Sequence, residues 1–483
     1  MRGYYDEHPE LSWEDFLCSF NDVPRRGIRV RERRMEAASA EVAGVRDSLS
    51  SWFGIPDSVG IESVPWCANG FYIDEQDAGK NPFYHAGAFY IQEPSAMLPA
   101  ELLDVRPGEM VLDLCAAPGG KATRLGECLR GEGLLVANEV SADRARALLR
   151  NVELFGIENV VITNETPEKL ADRFSSFFDK ILVDAPCSGE GMFRRDSQAV
   201  KSWESFGPTV CAPLQLSILE SAHRMLKEGG RLVYSTCTFN PDENERNVDA
   251  FLAKHPGYRV ADGVPEGVSR CDGALFSGAF RIWPQDGRGD GHFAVCLEKV
   301  HADEEEAFVR IPSRRKRDMS RTYSVRTGRE AFGQFASEYF VESVRDRYVA
   351  VAEKHFYLFG EIVHFIPVAP DLFDELKTVK LGAFPGTVKH KGGRIFFSPS
   401  HSLAQALCCD VMQKDKVLNL SAKDERVQRY LFGETLFFSE EESAELVSKG
   451  FILLCVDGHP LGWGQRNGDM LKNEYPAAWR RRR

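Results

Sequence analysis

Met110-Val111-Leu112-Asp113-Leu114-Cys115-Ala116-Ala117-Pro118-Gly119-Gly120-Lys121 is the stretch that decides the fold of this chain. Its first five residues form a short apolar run typical of a buried strand, and helix formers resume after Lys121. The stretch reads as strand, tight loop, helix. Two alanines and two glycines leave the loop backbone bare, so its N–H groups can approach a ligand closely, with the positive end of the next helix behind them. A small charged cofactor is expected there, contacted by Cys115, Ala116, Ala117, Pro118, Gly119, Gly120 and Lys121.

The same alternation continues downstream. Strands are predicted at Met110 to Leu114, Leu134 to Asn138, Val160 to Thr163, Lys180 to Val183 and Arg231 to Tyr234, with helices such as Ser141 to Phe155 and Pro213 to Lys227 between them. Crossovers of this length are right-handed and parallel, which predicts an α/β, Rossmann-like doubly wound sheet over residues 101–300. Ligands in such sheets bind at the carboxyl ends of the strands. Residues 1–100 read as an N-terminal extension packed on that domain, 301–330 as a charged linker and 331–418 as a middle α+β region. Residues 419–483 read as a small β-rich module whose strands are joined by Gly turns.

With 483 residues, 43% of them hydrophobic, the chain can bury more than one core. No run approaches the roughly 18 apolar residues of a membrane span, and the first residues lack the pattern of a signal peptide, so a soluble, cytoplasmic protein is expected. The twelve cysteines form no Cys-x-x-Cys pair and several fall in predicted strands or helices, which points to reduced thiols and to no metal site. A net charge of −12 argues against a nucleic-acid binder. Its distribution argues the other way: eight basic residues face one acid between Ala307 and Arg329, arginines crowd at 25, 26, 29, 31, 33 and 34, and the chain ends in four more.

The residues at the predicted strand ends carry the chemistry. Glu139 ends the second strand, where an acid can take both hydroxyls of a ribose. The loop lacks the glycine spacing of dinucleotide binders and the Lys-Ser/Thr of a P-loop, so S-adenosylmethionine fits better than NAD or ATP. Cys187, in Asp184-Ala185-Pro186-Cys187-Ser188-Gly189, and Cys237, in Ser235-Thr236-Cys237-Thr238, close the fourth and fifth strands and are expected to face one cleft as candidate nucleophiles.

These three motifs, in this order and spacing, resemble those of the RNA cytosine-5 methyltransferases related to RsmB, RsmF and the NOL/NSUN proteins. Phe89 to Leu98, Pro399 to Ala404 and the ending from Gly462 to Pro476 are similar to the RsmF type in particular. The resemblance implies that Cys237 attacks C6 of cytosine, that Cys187 assists release of the enzyme, and that Asp184 hydrogen-bonds the cytosine edge or the cofactor. Its implied substrate is structured RNA, within ribosomal RNA or the small ribosomal subunit, and its implied C-terminal region is PUA-like and RNA-binding, with Trp463, Tyr475 and Trp479 near Arg466 and Lys472 as stacking and phosphate contacts or, equally, as core. Two positions depart from the pattern. Arg29-Val30-Arg31 replaces Arg-Val-Asn, and Asn164 stands where relatives place the aspartate that meets the adenine. A transfer-RNA or DNA methyltransferase and a non-catalytic RNA-binding assembly factor are the alternative readings. Trimming after Val300 is expected to weaken RNA binding more than cofactor binding.

Overall fold

The computed structural model describes residue 4 and residues 11–31, 42–55, 60–261, 268–273, 276–300 and 323–481. Arg33, Arg34, Arg482, Arg483 and the basic residues from Arg310 to Arg321 lie outside the described residues.

The N-terminal part forms an antiparallel sheet of β1 (Arg26–Val30), β2 (Gly70–Ile73) and β3 (Phe89–Ile91), with β1 central. Downstream, β4 (Met110–Asp113), β5 (Leu134–Asn138), β6 (Val160–Thr163), β7 (Phe178–Asp184) and β8 (Leu226–Thr236) are the parallel strands expected from the sequence. β5 and β6 are buried throughout, and residues 181–183 of β7 and 232–236 of β8 are buried as well, as in a parallel sheet covered on both faces. Helix α1 (Gly120–Cys128) follows β4, α2 (Ala142–Leu154) follows β5, and α3 (Pro208–Met225) precedes β8. The last starts earlier than expected: Pro208 takes the first helical position and Pro213 is carried inside the helix.

Four antiparallel strands, unforeseen in the sequence, extend this sheet beyond β8 or flank it: β9 (Tyr258–Val260), β10 (Ser269–Asp272), β11 (Ser277–Ile282) and β12 (His292–Lys299). The chain then builds β13 (Phe356–Phe359) and β14 (Ile362–Phe365), sends β15 (Thr378–Leu381) back to pair with β6, and continues with β16 (Ala383–Lys391) and β17 (Arg394–Pro399). The large sheet thus runs β10-β11-β12-β8-β7-β4-β5-β6-β15. Strands β13, β14, β16 and β17 form a second sheet. Last come β18 (Val417–Leu420), β19 (Leu436–Phe437), β20 (Lys449–Val456), β21 (His459–Asn467) and β22 (Met470–Asn473), five strands of one sheet.

Burial ties these layers together. Ile28, Phe71 and Phe89 of the N-terminal sheet share one apolar cluster with Leu454 and Leu461 of the C-terminal sheet and with Tyr430 and Tyr475 beside it. Each such buried side chain contributes roughly 1.5–3 kcal/mol, so the two ends of the chain are held as one body. Arg29 and Arg31, candidates for phosphate contact, are only 1% and 3% exposed. Arg29 pairs with Glu127 of α1 and donates to Thr123 Oγ1 at 2.7 Å, while Arg31 donates to the Gln405 carbonyl at 2.9 Å. They are interdomain struts rather than RNA contacts.

The aromatic residues of the ending are also resolved toward the core. Trp463 is buried with its Nε1 donating to the Ser400 carbonyl at 2.8 Å, and Tyr475 and Arg466 are buried as well. Trp479 is half-buried against Arg150, and Lys472 pairs with Glu474 at 2.8 Å. Ten cysteines are free, and Cys409 and Cys455 form a disulfide. That pair spans 46 residues, so no local spacing announced it. No helix among the described residues is long and apolar enough to cross a membrane.

Candidate active site

The strand order reverses between β4 and β7, where β4 has β5 on one side and β7 on the other. At such a point the loops leave in opposite directions and open a crevice above the carboxyl ends. The Gly loop, Asp184, Cys187 and Cys237 all belong to the ends of β4, β7 and β8, which line it.

The loop is shaped by its own carbonyls being taken up. Arg144 donates to the Ala117 carbonyl at 2.8 Å and Asn151 to the Pro118 carbonyl at 2.8 Å, both from α2. Gly119 turns the chain at φ +116°, a conformation that side chains disfavour, and a Cβ there would stand 3.3 Å from both Leu148 and Asn151. Burial and the neighbouring Asp113 push the Cys115 thiol up, which keeps its proton in place.

Three carboxylates converge on this loop. Asp113 is 1% exposed, and neither of its carboxylate oxygens has a hydrogen-bond partner. Burial, reinforced by the charge of Asp184, pushes its pKa up to about 8. Glu139 is 2% exposed; its Oε1 accepts from the Ser141 N–H at 2.9 Å and its Oε2 lies 3.4 Å from Arg144. Asn164 does not aim its amide N–H groups outward: Nδ2 donates to the carbonyls of Glu139 at 2.7 Å and Val140 at 2.9 Å, bracing the Glu139 turn. A bare loop flanked by the Glu139 and Asp184 carboxyls disfavours a polyphosphate and suits a ligand with an ammonium and a sulfonium. The orphaned Asp113 oxygens are acceptors such a cation satisfies. S-adenosylmethionine therefore fits the residues present.

Asp184 is the hinge between the cofactor loop and the cysteines. Its Oδ2 takes Lys121 Nζ at 2.7 Å, and its Oδ1 takes Ser235 Oγ at 2.8 Å with His292 Nε2 at 3.4 Å. Burial works against its charge, but Lys121 and His292 outweigh it and hold the carboxyl well below the usual range. The expected meeting of the two thiols is present: Cys187 Sγ and Cys237 Sγ are 3.2 Å apart. The contact with Cys237, then burial, push the Cys187 thiol well up.

A network of polar side chains that no sequence motif announces clamps the two cysteine turns. Ser188 donates to Glu243 through its N–H at 3.0 Å and its hydroxyl at 2.5 Å, and shares a 2.8 Å contact with Thr238. Glu190 accepts from the Thr238 hydroxyl at 3.0 Å and the Phe239 N–H at 3.1 Å. Gln215 of α3 donates both to Glu243 at 2.8 Å and to the Pro186 carbonyl at 3.0 Å. The acids at 190 and 243, each placed just after a cysteine turn, were the available signal. His292 had none, because it reaches Asp184 from an antiparallel strand.

Three family models match this chain: the 16S rRNA methyltransferase RsmB/F over residues 100–298, the N-terminal domain of 16S rRNA methyltransferase RsmF over 3–94, and the methyltransferase RsmF PUA domain over 417–481. Ribosomal RNA small subunit methyltransferase F of Shewanella sp. strain MR-7 is 30% identical over 481 residues, covering 96% of this chain and 93% of its own. Its counterpart from Shewanella sp. strain ANA-3 is 31% identical with the same coverage. The crystal structure of PH0851 matches at 30% identity and a TM-score of 0.52, over 59% of this chain and 62% of that one. With a full-length relative at 30% identity and matches to the RsmB/F methyltransferase model and to both RsmF domain models, this chain belongs to the RsmF family of S-adenosylmethionine-dependent methyltransferases.

Proposed function

We propose that this protein methylates C5 of cytosine in ribosomal RNA of the small subunit, through a covalent bond between Cys237 and C6. The observation that carries the reading is the 3.2 Å contact of Cys187 with Cys237, set beside the Lys121-bound Asp184. C5 of cytosine is a weak nucleophile until a thiolate adds to C6 and turns the ring into an enamine. Cys187, its proton firmly held, stands 3.2 Å from Cys237 Sγ, in contact with the attacking sulfur. Asp184, held ionised, accepts from the exocyclic amine of cytosine and fixes the ring over Cys237. S-adenosylmethionine, when bound, supplies the methyl group. The C5 proton passes to water, the electrons of its C–H bond form the C5–C6 double bond, the S–C6 bond breaks with its electrons returning to Cys237, and the aromatic ring is restored. Cys187 lies beside the departing sulfur and assists this release.

The target base must leave its stack to enter the crevice, which favours a loop or opened helix of folded RNA. The full-length similarity to proteins named as small-subunit ribosomal RNA methyltransferases supports that substrate and a cytoplasmic site of action. Bisulfite sequencing of total RNA from cells with and without the gene tests the reading. Loss of protection at a cytosine of small-subunit ribosomal RNA is the expected outcome. Loss in transfer RNA alone would reassign the substrate, and no change at any position would favour the assembly factor.

A further inference from the structure

The β16–β17 hairpin takes no part in the crevice, and its end carries Lys389-His390-Lys391-Gly392-Gly393-Arg394-Ile395. All seven residues are exposed. The turn is made by Gly392 and Gly393 at φ +58° and +78°, and a Cβ on either would meet nothing within 4 Å, so the tip stands in open space. Cross-strand register places Lys391 opposite Arg394 and Lys389 opposite Phe396. Opposite residues share a face, and so do residues two apart along a strand, so Lys389, Lys391 and Arg394 form one cationic strip with Phe396 at its base.

Two further facts separate this strip from an ordinary solvated edge. Elsewhere in this acidic chain exposed cations are commonly tied to carboxylates, as Arg25 is to Glu62 and Arg146 to Asp143. Among the described residues, the side chains of Lys389, Lys391 and Arg394 have neither ion pair nor hydrogen bond. Glu361, whose carbonyl accepts the Val388 N–H at 2.8 Å, makes no ion pair with them. Placing Lys391 directly across from Arg394 costs stability unless an external anion neutralises both.

We propose that the β16–β17 hairpin is a docking arm for the phosphate backbone of the RNA substrate. This rests on the reading of RNA as substrate. A molecule of net charge −12 repels a polyanion on average, so its affinity must come from local strips free of carboxylates. Contacts of this kind set the position of the RNA without reading its bases.

The test compares wild type with K389Q/K391Q/R394Q, titrating a fluorescein-labelled small-subunit ribosomal RNA stem-loop by anisotropy across a potassium chloride series. Three lost phosphate contacts should flatten the slope of log K against log salt by roughly 2–3 and weaken binding on the order of 10- to 100-fold at low salt. S-adenosylmethionine affinity by calorimetry should stay at the wild-type value, which shows the variant to be folded. Equal slope and affinity in variant and wild type would overturn the proposal. Poly-glutamate competing as well as RNA for the wild type would also overturn it, by assigning the strip to an acidic protein. Wild type that binds RNA without salt dependence, or not at all, would overturn the RNA reading itself, and retention of an RNA adduct by Cys187→Ala checks that reading separately.

Discussion

Cys187 Sγ and Cys237 Sγ touch at 3.2 Å although 50 residues separate them in the chain. Strands β7 and β8 are parallel neighbours in register at Asp184 and Ser235, so turns of similar length carry both thiols to the same point. Equivalent positions do not make equivalent roles. In Cys237→Ala methyl transfer should fall by about 10³-fold or more, because the nucleophile is gone. In Cys187→Ala addition should still occur while release is slowed, leaving an enzyme–RNA adduct that survives denaturing electrophoresis. Substantial activity in Cys237→Ala would exchange or abolish the assignments.

Asp113 makes stability depend on pH in a known direction. Its folded pKa of about 8 lies above the unfolded carboxylate value near 3.9, so between the two the folded state holds a proton that the unfolded chain has released. The cost of burying it is absent below the lower value, accumulates as pH rises, and is complete above about 8. Asp184 acts oppositely, and its contribution is lost only as pH falls below the ordinary carboxylate range. From pH 5 to 8 the Tm of Asp113→Asn should therefore fall less than that of wild type. Parallel curves for the two proteins would show that Asp113 is already ionised at pH 5.

Arg29 and Glu127 are an ion pair with side chains only 1% and 4% exposed, joining β1 to α1. Removing one partner strands a buried charge, so Arg29→Met should destabilise by about 3–5 kcal/mol in chemical denaturation. Replacing Glu127 as well, by Leu, should recover most of that loss. A cost under about 1 kcal/mol for the single variant would mean that water reaches the pair.

Truncation after Val300 should fail to give a folded fragment, contrary to the expectation of a separable recognition module. β15 pairs Thr378 with Thr163 and Leu381 with Val161, so its removal bares the β6 edge. The N-terminal sheet would also lose Leu454, Leu461 and Tyr475 from its core. Aggregation, or loss of a cooperative transition by circular dichroism, is the expected result. A soluble fragment with wild-type S-adenosylmethionine affinity would show that the catalytic layers fold alone.

What was legible in advance was local. The strand from Leu134 to Asn138 and the strand from Val160 to Thr163 were placed to the residue, because a buried parallel strand is a short apolar run bounded by polar turns. The glycine loop and both cysteine turns were legible for the same reason. Asn164 stands where the resemblance places an adenine-facing aspartate, and that its amide N–H groups brace the Glu139 turn depends on where two backbone carbonyls point. Trp463 could not be sorted from the sequence, since alternation along β21 does not say which face is covered.

The amino-acid sequence alone determined the parallel strands, the bare loop and the two thiols at strand ends, because each is written in contiguous residues obeying a local period or turn rule. Tertiary structure alone decided that β15 closes one sheet edge, that Arg29 and Arg31 are struts, that His292 reaches Asp184, and that Ser188, Glu190, Gln215 and Glu243 clamp the turns. Those contacts join residues far apart in the chain. Their energy comes from excluding water around paired charges and hydrogen bonds, a condition that exists only once the layers have packed.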